Sequence, residues 1–592
     1  MASAPIALYG PYCGDDYQFH LISWLDAQQS WRHGIPYPHW TPSPNYGAGE
    51  PRFIFYPPLT WMMGAALGLV LPWSWVPVIL IFLLLSGTGL ATLKLAQQVL
   101  PAAPATLAGC AAIFSLYALF TAYERAAFGE LAGGFWIPLL LLFALRGRKP
   151  SVFLRSGVWH RALDGSAVPL ALVLTGAWLS DAPLGLMATY LLAAVALAAA
   201  LLARSWAPVA RASISAALGI GLCGLYLVPA AYEQRWVDMR QATGTAGDPG
   251  LLIENNWLFA RHGSPALELH DVEAHVISLL SVAMIAVALL SLLTVWLRGR
   301  LSPTTEHAAP PQPENGERLA RRWWVPLALI PVVVLFLQMP ISYPLWDVLP
   351  KLHFLQFPWR WLLVLEAPMG IFFPTAVWPF RSARKWQRAA AWVICALFFA
   401  CSMLFATDKF FRVCHPDDSL PSLLARHSSG AGFWGADEYA PPDADNSTVA
   451  IGLPDACLVS AYGTDLGVAP TPDFNPVWRP EQGGCAATAT ATLRQPEHLH
   501  IKAAASHAGY LVLRLRNYPA WRITLNGQPA TGLPARVDGL MAVPVPQGPV
   551  DLKVDWTTTA DVIAGRWLSS LSLLLLVALG YLERRLSRPQ PL

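Results

Sequence analysis

Three short segments carry most of the chemistry this chain could perform. Asp15, Asp16 and His20 open an amphipathic stretch running through Trp24, Leu25, Trp31 and His33. Asp16 and His20 are four residues apart, so on a helix both side chains share one face. A carboxylate so placed can take a proton from a hydroxyl nucleophile. The second segment reads Tyr123-Glu124-Arg125-Ala126-Ala127-Phe128-Gly129-Glu130, with three charges at the mouth of two apolar runs. Ionisable groups at membrane depth are costly unless paired or useful. In the third, His353, Gln356, Trp359 and Arg360 begin another apolar run, and Glu366 lies about a turn and a half deeper. Guanidinium forks match phosphate oxygens, so Arg125 and Arg360 suit a phosphorylated substrate. Plainer roles stand beside each of these: a helix cap for Asp15 or Asp16 with a solvated His20, an Arg125 ion pair to Glu124 or Glu130 that ties two helices, and a snorkelling anchor at Arg360.

The elements that must position these residues are set by composition. Of 592 residues, 55% are hydrophobic and 13% charged, and the mean hydropathy is +0.41. Too little polar surface remains for a soluble protein, so the bilayer must solvate most of the chain. The net charge of +3 is small and the arginines sit in short loops, which excludes nucleic acid as a partner. Eleven apolar runs are expected to span, near Val76–Leu95, Ala103–Leu119, Gly133–Leu145, Ala167–Leu179, Leu184–Leu202, Ile214–Ala230, Val276–Leu297, Trp324–Leu337, Leu362–Trp378, Ala389–Phe405 and Trp567–Leu582. Several fall short of the roughly 20 residues a perpendicular helix needs, and lean on flanking Trp, Tyr or Arg.

Loop charges set the orientation. Arg146, Arg148, Lys149, Arg155 and Arg161 fall in one loop, Arg298, Arg300, Arg318, Arg321 and Arg322 in another, and Arg381, Arg384, Lys385 and Arg388 in a third; all should face the cytoplasm. With strict alternation Arg204, Arg211, Arg584, Arg585 and Arg588 join them. The apolar stretch from Pro57-Pro58 to Leu71 breaks the alternation if it spans, so it is predicted to be a juxtamembrane helix on the outer face. Residues 1–73 are then an outer loop with no helix and no signal peptide before it, and a chain start lacking one helix is the favoured expectation. Residues 74–407 form the membrane domain, 408–560 a periplasmic β-rich domain, and 561–592 a last span with its tail. Cys110, Cys223, Cys395 and Cys401 fall in spans, whereas Cys13, Cys414, Cys457 and Cys485 fall on the oxidising side, where a Cys457–Cys485 bridge is one open pairing.

In the outer domain Leu499–Ala504, Tyr510–Arg516, Trp521–Leu525 and Val550–Trp556 alternate apolar with polar residues, and Asn526-Gly527 is a strong hairpin signal. A β-sandwich is expected there. Residues 417–447, rich in Ser, Asp, Gly and Pro, read as loop. The fold class is therefore an α-helical polytopic protein of a bacterial inner membrane with a C-terminal periplasmic β-sandwich.

The runs Gly14-Asp15-Asp16-Tyr17-Gln18-Phe19-His20, Gly34-Ile35-Pro36, Trp40, Tyr46 to Pro51 and Phe55-Tyr56-Pro57-Pro58-Leu59 resemble the bacterial membrane family labelled 6-pyruvoyl-tetrahydropterin synthase-related, itself similar to YfhO-like proteins. Arg125 with Glu130, Gln356 to Arg360, Glu438-Tyr439, Asn517 to Trp521, Asn526-Gly527 and Asp538-Gly539-Leu540 extend the resemblance over nearly the whole chain. The family label says nothing of pterin chemistry here. Such proteins look like GT-C membrane glycosyltransferases, which use sugars carried on polyprenyl phosphate or pyrophosphate. The resemblance implies that Asp16 takes the place of the first-loop acid and Glu130 that of the second. Asp181 stands where many relatives have His or Asn, which touches substrate detail.

The expected function is transfer of a sugar from a polyprenyl-phosphate donor to an acceptor on the periplasmic face. Asp16 and Glu130 are the candidate catalytic acids, and Asp15, His20, Glu124, Arg125, Gln356 and Arg360 the candidate substrate ligands. Charge against the departing phosphate comes from the arginines or from a divalent cation, Mg or Mn, shared by Asp16 and Glu130. The alternative, from another class, is a non-catalytic assembly or export factor for cell-envelope glycans whose outer domain binds a glycan or protein. A transporter fits less well, since the ionisable clusters lie in loops and not at mid-membrane.

Overall fold

A computed structural model describes residues 1–9, 13–146, 165–244, 248–301, 313–379, 384–411, 414–469, 471 and 475–587. Among these, eight helices are long and apolar enough to cross a membrane, and up to ten if each of two bent pairs counts as one span. That many apolar helices mark a membrane protein. The eight are Val76–Ala96, Ala102–Tyr123, Phe128–Leu145, Ala182–Ala203, Pro265–Arg298, Pro358–Val377, Lys385–Lys409 and Ala560–Arg585.

Three of the eleven expected runs take other forms. Ala207–Leu222 and Gly224–Trp236 meet at a 72° bend, and Arg322–Leu337 turns by 98° into Pro340–Val348. Proline explains the second bend, because Pro340 lacks the N–H that would continue the helix. The third, Ala167–Ser180, is only 14 residues long. Pro58–Val70 is likewise a short apolar helix, packed against Tyr17–Arg32. Arg148, Lys149, Arg155, Arg161, Arg381 and Arg588 lie outside the described residues.

The stretch read as amphipathic, from Asp16 and His20 through Trp31, does not present one free face. Eleven of the sixteen residues of Tyr17–Arg32 are buried, Asp26 and Gln28 among them. Asp26 is held by Ser43 Oγ at 2.6 Å and by His427 Nε2 at 2.9 Å. His427 belongs to the helix Leu420–Ser428, which occupies part of the segment read as loop. Leu420 and Leu423 are its buried face, and their i, i+3 spacing was concealed by the surrounding Ser, Gly and Pro.

The strands are β1 (Ala456–Val459), β2 (Val468–Ala469), β3 (Val477–Trp478), β4 (Ala487–Ala489), β5 (Ala491–Gln495), β6 (His498–Ala505), β7 (Gly509–Arg516), β8 (Trp521–Leu525), β9 (Gln528–Ala530), β10 (Leu540–Val545) and β11 (Gly548–Trp556). Two antiparallel sheets, ordered β10-β7-β1-β4 and β5-β6-β11-β8-β9, accompany a β2-β3 pair. Leu458, Leu513 and Val543 from the first sheet share one core with Ile501, Ile523 and Leu552 from the second. The β8–β9 hairpin turns at Asn526 and Gly527, both at positive φ, which matches the right-handed twist of the flanking strands. Trp40 and Ile54 from the N-terminal segment complete this core, the Trp40 ring lying 5.1 Å from Trp521. Deleting residues 408–560 would therefore uncover Trp40, so such a truncation is not a clean assay of the β-rich domain.

Two disulfides join Cys13 to Cys414 and Cys457 to Cys485. The first closes a loop of 401 residues and ties the segment before Asp15 to the end of helix Lys385–Lys409. Non-reducing electrophoresis should show a compact species that Cys13→Ser abolishes and Cys457→Ser retains, with loss of the long bridge costing about 2–4 kcal/mol. Equal mobility of Cys13→Ser and the unaltered protein would contradict the pairing.

Candidate active site

The first and second polar segments are stitched together through their backbones. The Asp15 N–H donates to Glu124 O at 3.0 Å and the Asp16 N–H to Arg125 O at 2.8 Å. This approach needs small residues: a Cβ on Gly14 would lie 2.5 Å from the Ala126 Cβ, and one on Gly129 would lie 2.8 Å from Ser180 O. Packing at these two glycines seats Glu130 and Asp181 beside the first loop.

Glu130 is the hub. Its Oε1 accepts from the Tyr117 hydroxyl. Its Oε2 meets Arg125 Nη1 at 2.5 Å and Arg360 Nε at 3.3 Å. Arg125 reaches onward with Nη2 to Asp16 Oδ2 at 3.6 Å and stacks 5.1 Å from the Trp359 ring. Arg360 is steadied by Leu355 O at 2.8 Å and Gln356 Oε1 at 3.1 Å. Gln356 adopts φ +61°, an unfavourable backbone for a side chain of its size. Its own amide donates to Ala242 O at 2.6 Å, which holds it there.

The acidic, guanidinium and Gln356 groups of this cluster open on one cavity of about 950 Å³. Asp15, Asp16, Glu124, Arg125, Glu130, Gln356 and Arg360 line it, between apolar walls that include Phe55, Trp178 and Leu186. Asp16 keeps 43% of its side-chain surface open. The protein around that space still desolvates it, and this outweighs the pull of Arg125 and Arg360, so its carboxyl sits above the usual carboxylate range. Asp16 begins helix Tyr17–Arg32 without any side-chain cap hydrogen bond. Its carboxylate therefore does not perform the capping role open to it in sequence.

His20 is in a different place from the one expected. It is buried, 4.9 Å from the Phe128 ring and 5.7 Å from Tyr56, and forms wall, not lining. Burial, with Arg52 and Arg125 nearby, pushes its pKa down to about 3. A neutral imidazole behind the wall is not a phosphate ligand. Three residues that the sequence did not mark as candidates also belong to this region: Tyr117, which bonds Glu130, and Asp181 and Glu438, which line the cavity. Asp181 lines the cavity, caps the Leu184 N–H at 2.9 Å, and is pushed up to about 6 by burial.

A cation shared by Asp16 and Glu130 does not fit. The Arg125 guanidinium lies between them, one nitrogen on each carboxylate, and both Glu130 oxygens are engaged. Positive charge is already supplied there by protein, as two guanidinium groups.

No family model, curated protein or solved structure matches this chain.

Proposed function

We propose that this protein is a membrane glycosyltransferase that moves a sugar from a polyprenyl-phosphate donor to an acceptor hydroxyl. The observation that carries the reading is the convergence of Asp16, Arg125 and Arg360 on one apolar-walled cavity. Asp16 takes the proton from the acceptor hydroxyl. The freed oxygen forms the bond to the anomeric carbon as the bond from that carbon to the phosphate oxygen breaks. The electron pair leaves with the polyprenyl phosphate, whose charge Arg125 and Arg360 face. Glu130 orients both arginines and takes no proton. Trp178 and Leu186 offer apolar surface to the donor's lipid chain.

We place the cavity and the β-sheets on the outer face of a bacterial inner membrane. Two disulfides support that side, since such bonds persist in oxidising compartments. Cys13 lies two residues from Asp15, so the bridge and the cavity share an end of the helical body.

The test uses the purified full chain with a synthetic short polyprenyl-phosphate sugar. Arg360→Ala should weaken donor binding by about 10–150-fold, the worth of a charged hydrogen bond of roughly 1.5–3 kcal/mol. Unchanged donor affinity in Arg360→Ala, or no binding by the unaltered protein, would remove the reading's support. Binding of donor with no transfer to any hydroxyl acceptor would favour the assembly factor instead.

A further inference from the structure

Residues 248–264 run irregularly before the chain enters the long helix Glu268–Leu301. Where the two meet, a second histidine and acid group stands, sharing with the site described above only the cavity wall that His270 and Asn256 help to line. The Asn256 amide donates through Nδ2 to Gly250 O at 2.6 Å and to Leu252 O at 2.8 Å. Two carbonyl acceptors fix which end of the amide is nitrogen. Its oxygen is therefore the atom turned toward His270 Nε2, at 3.2 Å. An oxygen only accepts, so Nε2 carries the proton and, on a neutral ring, Nδ1 presents a bare lone pair.

That Nδ1 makes no hydrogen bond and faces Asp271 Oδ1 at 3.8 Å. A lone pair opposed to a carboxylate is repulsive unless something positive lies between. His262 Nδ1 meets the same oxygen at 2.7 Å. The His262 backbone N–H holds the other oxygen, Oδ2, at 2.7 Å, so the carboxylate is fixed in orientation. One ligand atom from each of His262, His270 and Asp271 lies within 4.8 Å of the other two.

We propose that His262, His270 and Asp271 form a binding site for a zinc-class divalent cation. Two imidazoles and one carboxylate are a set that zinc accepts, and three protein ligands leave a fourth position open. The nitrogen share disfavours magnesium and calcium, which prefer all-oxygen surroundings. Tetrahedral bonds of about 2.0–2.2 Å separate ligand atoms by roughly 3.3 Å, so His262 Nδ1 and Asp271 Oδ1 part slightly and the cation displaces the proton between them. Asn256 is the partner that orients the ligand His270, a common arrangement around metal-bound histidines.

His262 and Asp271 also line a second cavity of about 610 Å³, together with Glu268 and His275. His270 and Asn256 also line the large cavity. A bound cation thus clamps the irregular segment to the first turn of the helix and stiffens one wall of the large cavity. The site does not depend on the transferase reading.

The test is metal uptake by the full chain in detergent, stripped with chelator and then titrated with zinc or cobalt alone. About one equivalent should bind, cobalt should show the intense visible bands of a tetrahedral site, and excess magnesium should not compete. His270→Ala should abolish uptake. Asp271→Asn, which keeps an acceptor for the His262 N–H, should abolish it without loss of monodispersity, and Asn256→Leu should weaken it by about 10–100-fold. Asp16→Asn should bind zinc normally, which separates this site from the transfer site. Absence of stoichiometric uptake by the unaltered protein, or equal uptake by the His262→Ala/His270→Ala double variant, would overturn the proposal.

Discussion

Asp16→Asn should lower sugar transfer by on the order of 10²–10⁴-fold, the span associated with loss of a positioned base, while membrane insertion stays unchanged and the melting temperature does not fall. The reasons for intact folding are local. The side chain makes no cap hydrogen bond, asparagine is as good an N-cap as aspartate, and the backbone rung to Arg125 O does not involve the side chain. The pH response follows from the same environment. Burial raises the Asp16 pKa in the folded protein, so the ionised form is the disfavoured one. Its contribution to stability is present when the group is protonated and declines as pH rises through the folded pKa, hence Asn at this position is neutral or slightly stabilising at neutral pH. Activity runs the opposite way, falling as pH drops through that raised pKa, above the ordinary value of about 3.9. A pH–rate profile and product assay on detergent-solubilised protein would check both. Full transfer by Asp16→Asn removes the base from the mechanism.

Glu130→Gln should behave differently, losing fold and function together. Glu130 is buried and bears on two buried guanidinium groups. Removing one member of a buried ion pair leaves an uncompensated charge and costs about 3–5 kcal/mol. Neutralising Arg360 as well, in Glu130→Gln/Arg360→Gln, should recover part of that loss, because the partners share one interaction and their effects do not add. Thermal unfolding of Glu130→Gln, Arg360→Gln and the double variant measures the coupling. A Glu130→Gln variant that melts like the unaltered chain would show that the arginines do not depend on Glu130.

The contrast between these two acids is where tertiary structure overruled sequence. As a sequence, Asp16 and Glu130 are two candidate catalytic carboxylates in two loops, the first read as the base and both as able to share a cation. In the folded chain Arg125 stands between them, and only Asp16 keeps an open surface. Nothing in sequence marks Tyr117, thirteen residues before Glu130, as the donor that occupies its second oxygen. His20 shows the same limit: helical spacing puts it on the Asp16 face, yet Phe128 and Tyr56 from other segments enclose it.

What the residues determined by themselves was the solvent and the local elements. Long apolar runs demand helices in a medium without water, because every backbone group must then be satisfied within its own segment. Period-two alternation and Asn526-Gly527 likewise specify strands and a hairpin through nearest-neighbour geometry. The bends at Cys223 and Pro340, the burial of helix Tyr17–Arg32 and the Cys13–Cys414 bridge were decided only in three dimensions. Each depends on contacts between segments far apart in the chain, and hydrophobic periodicity reports which face is buried without saying what buries it.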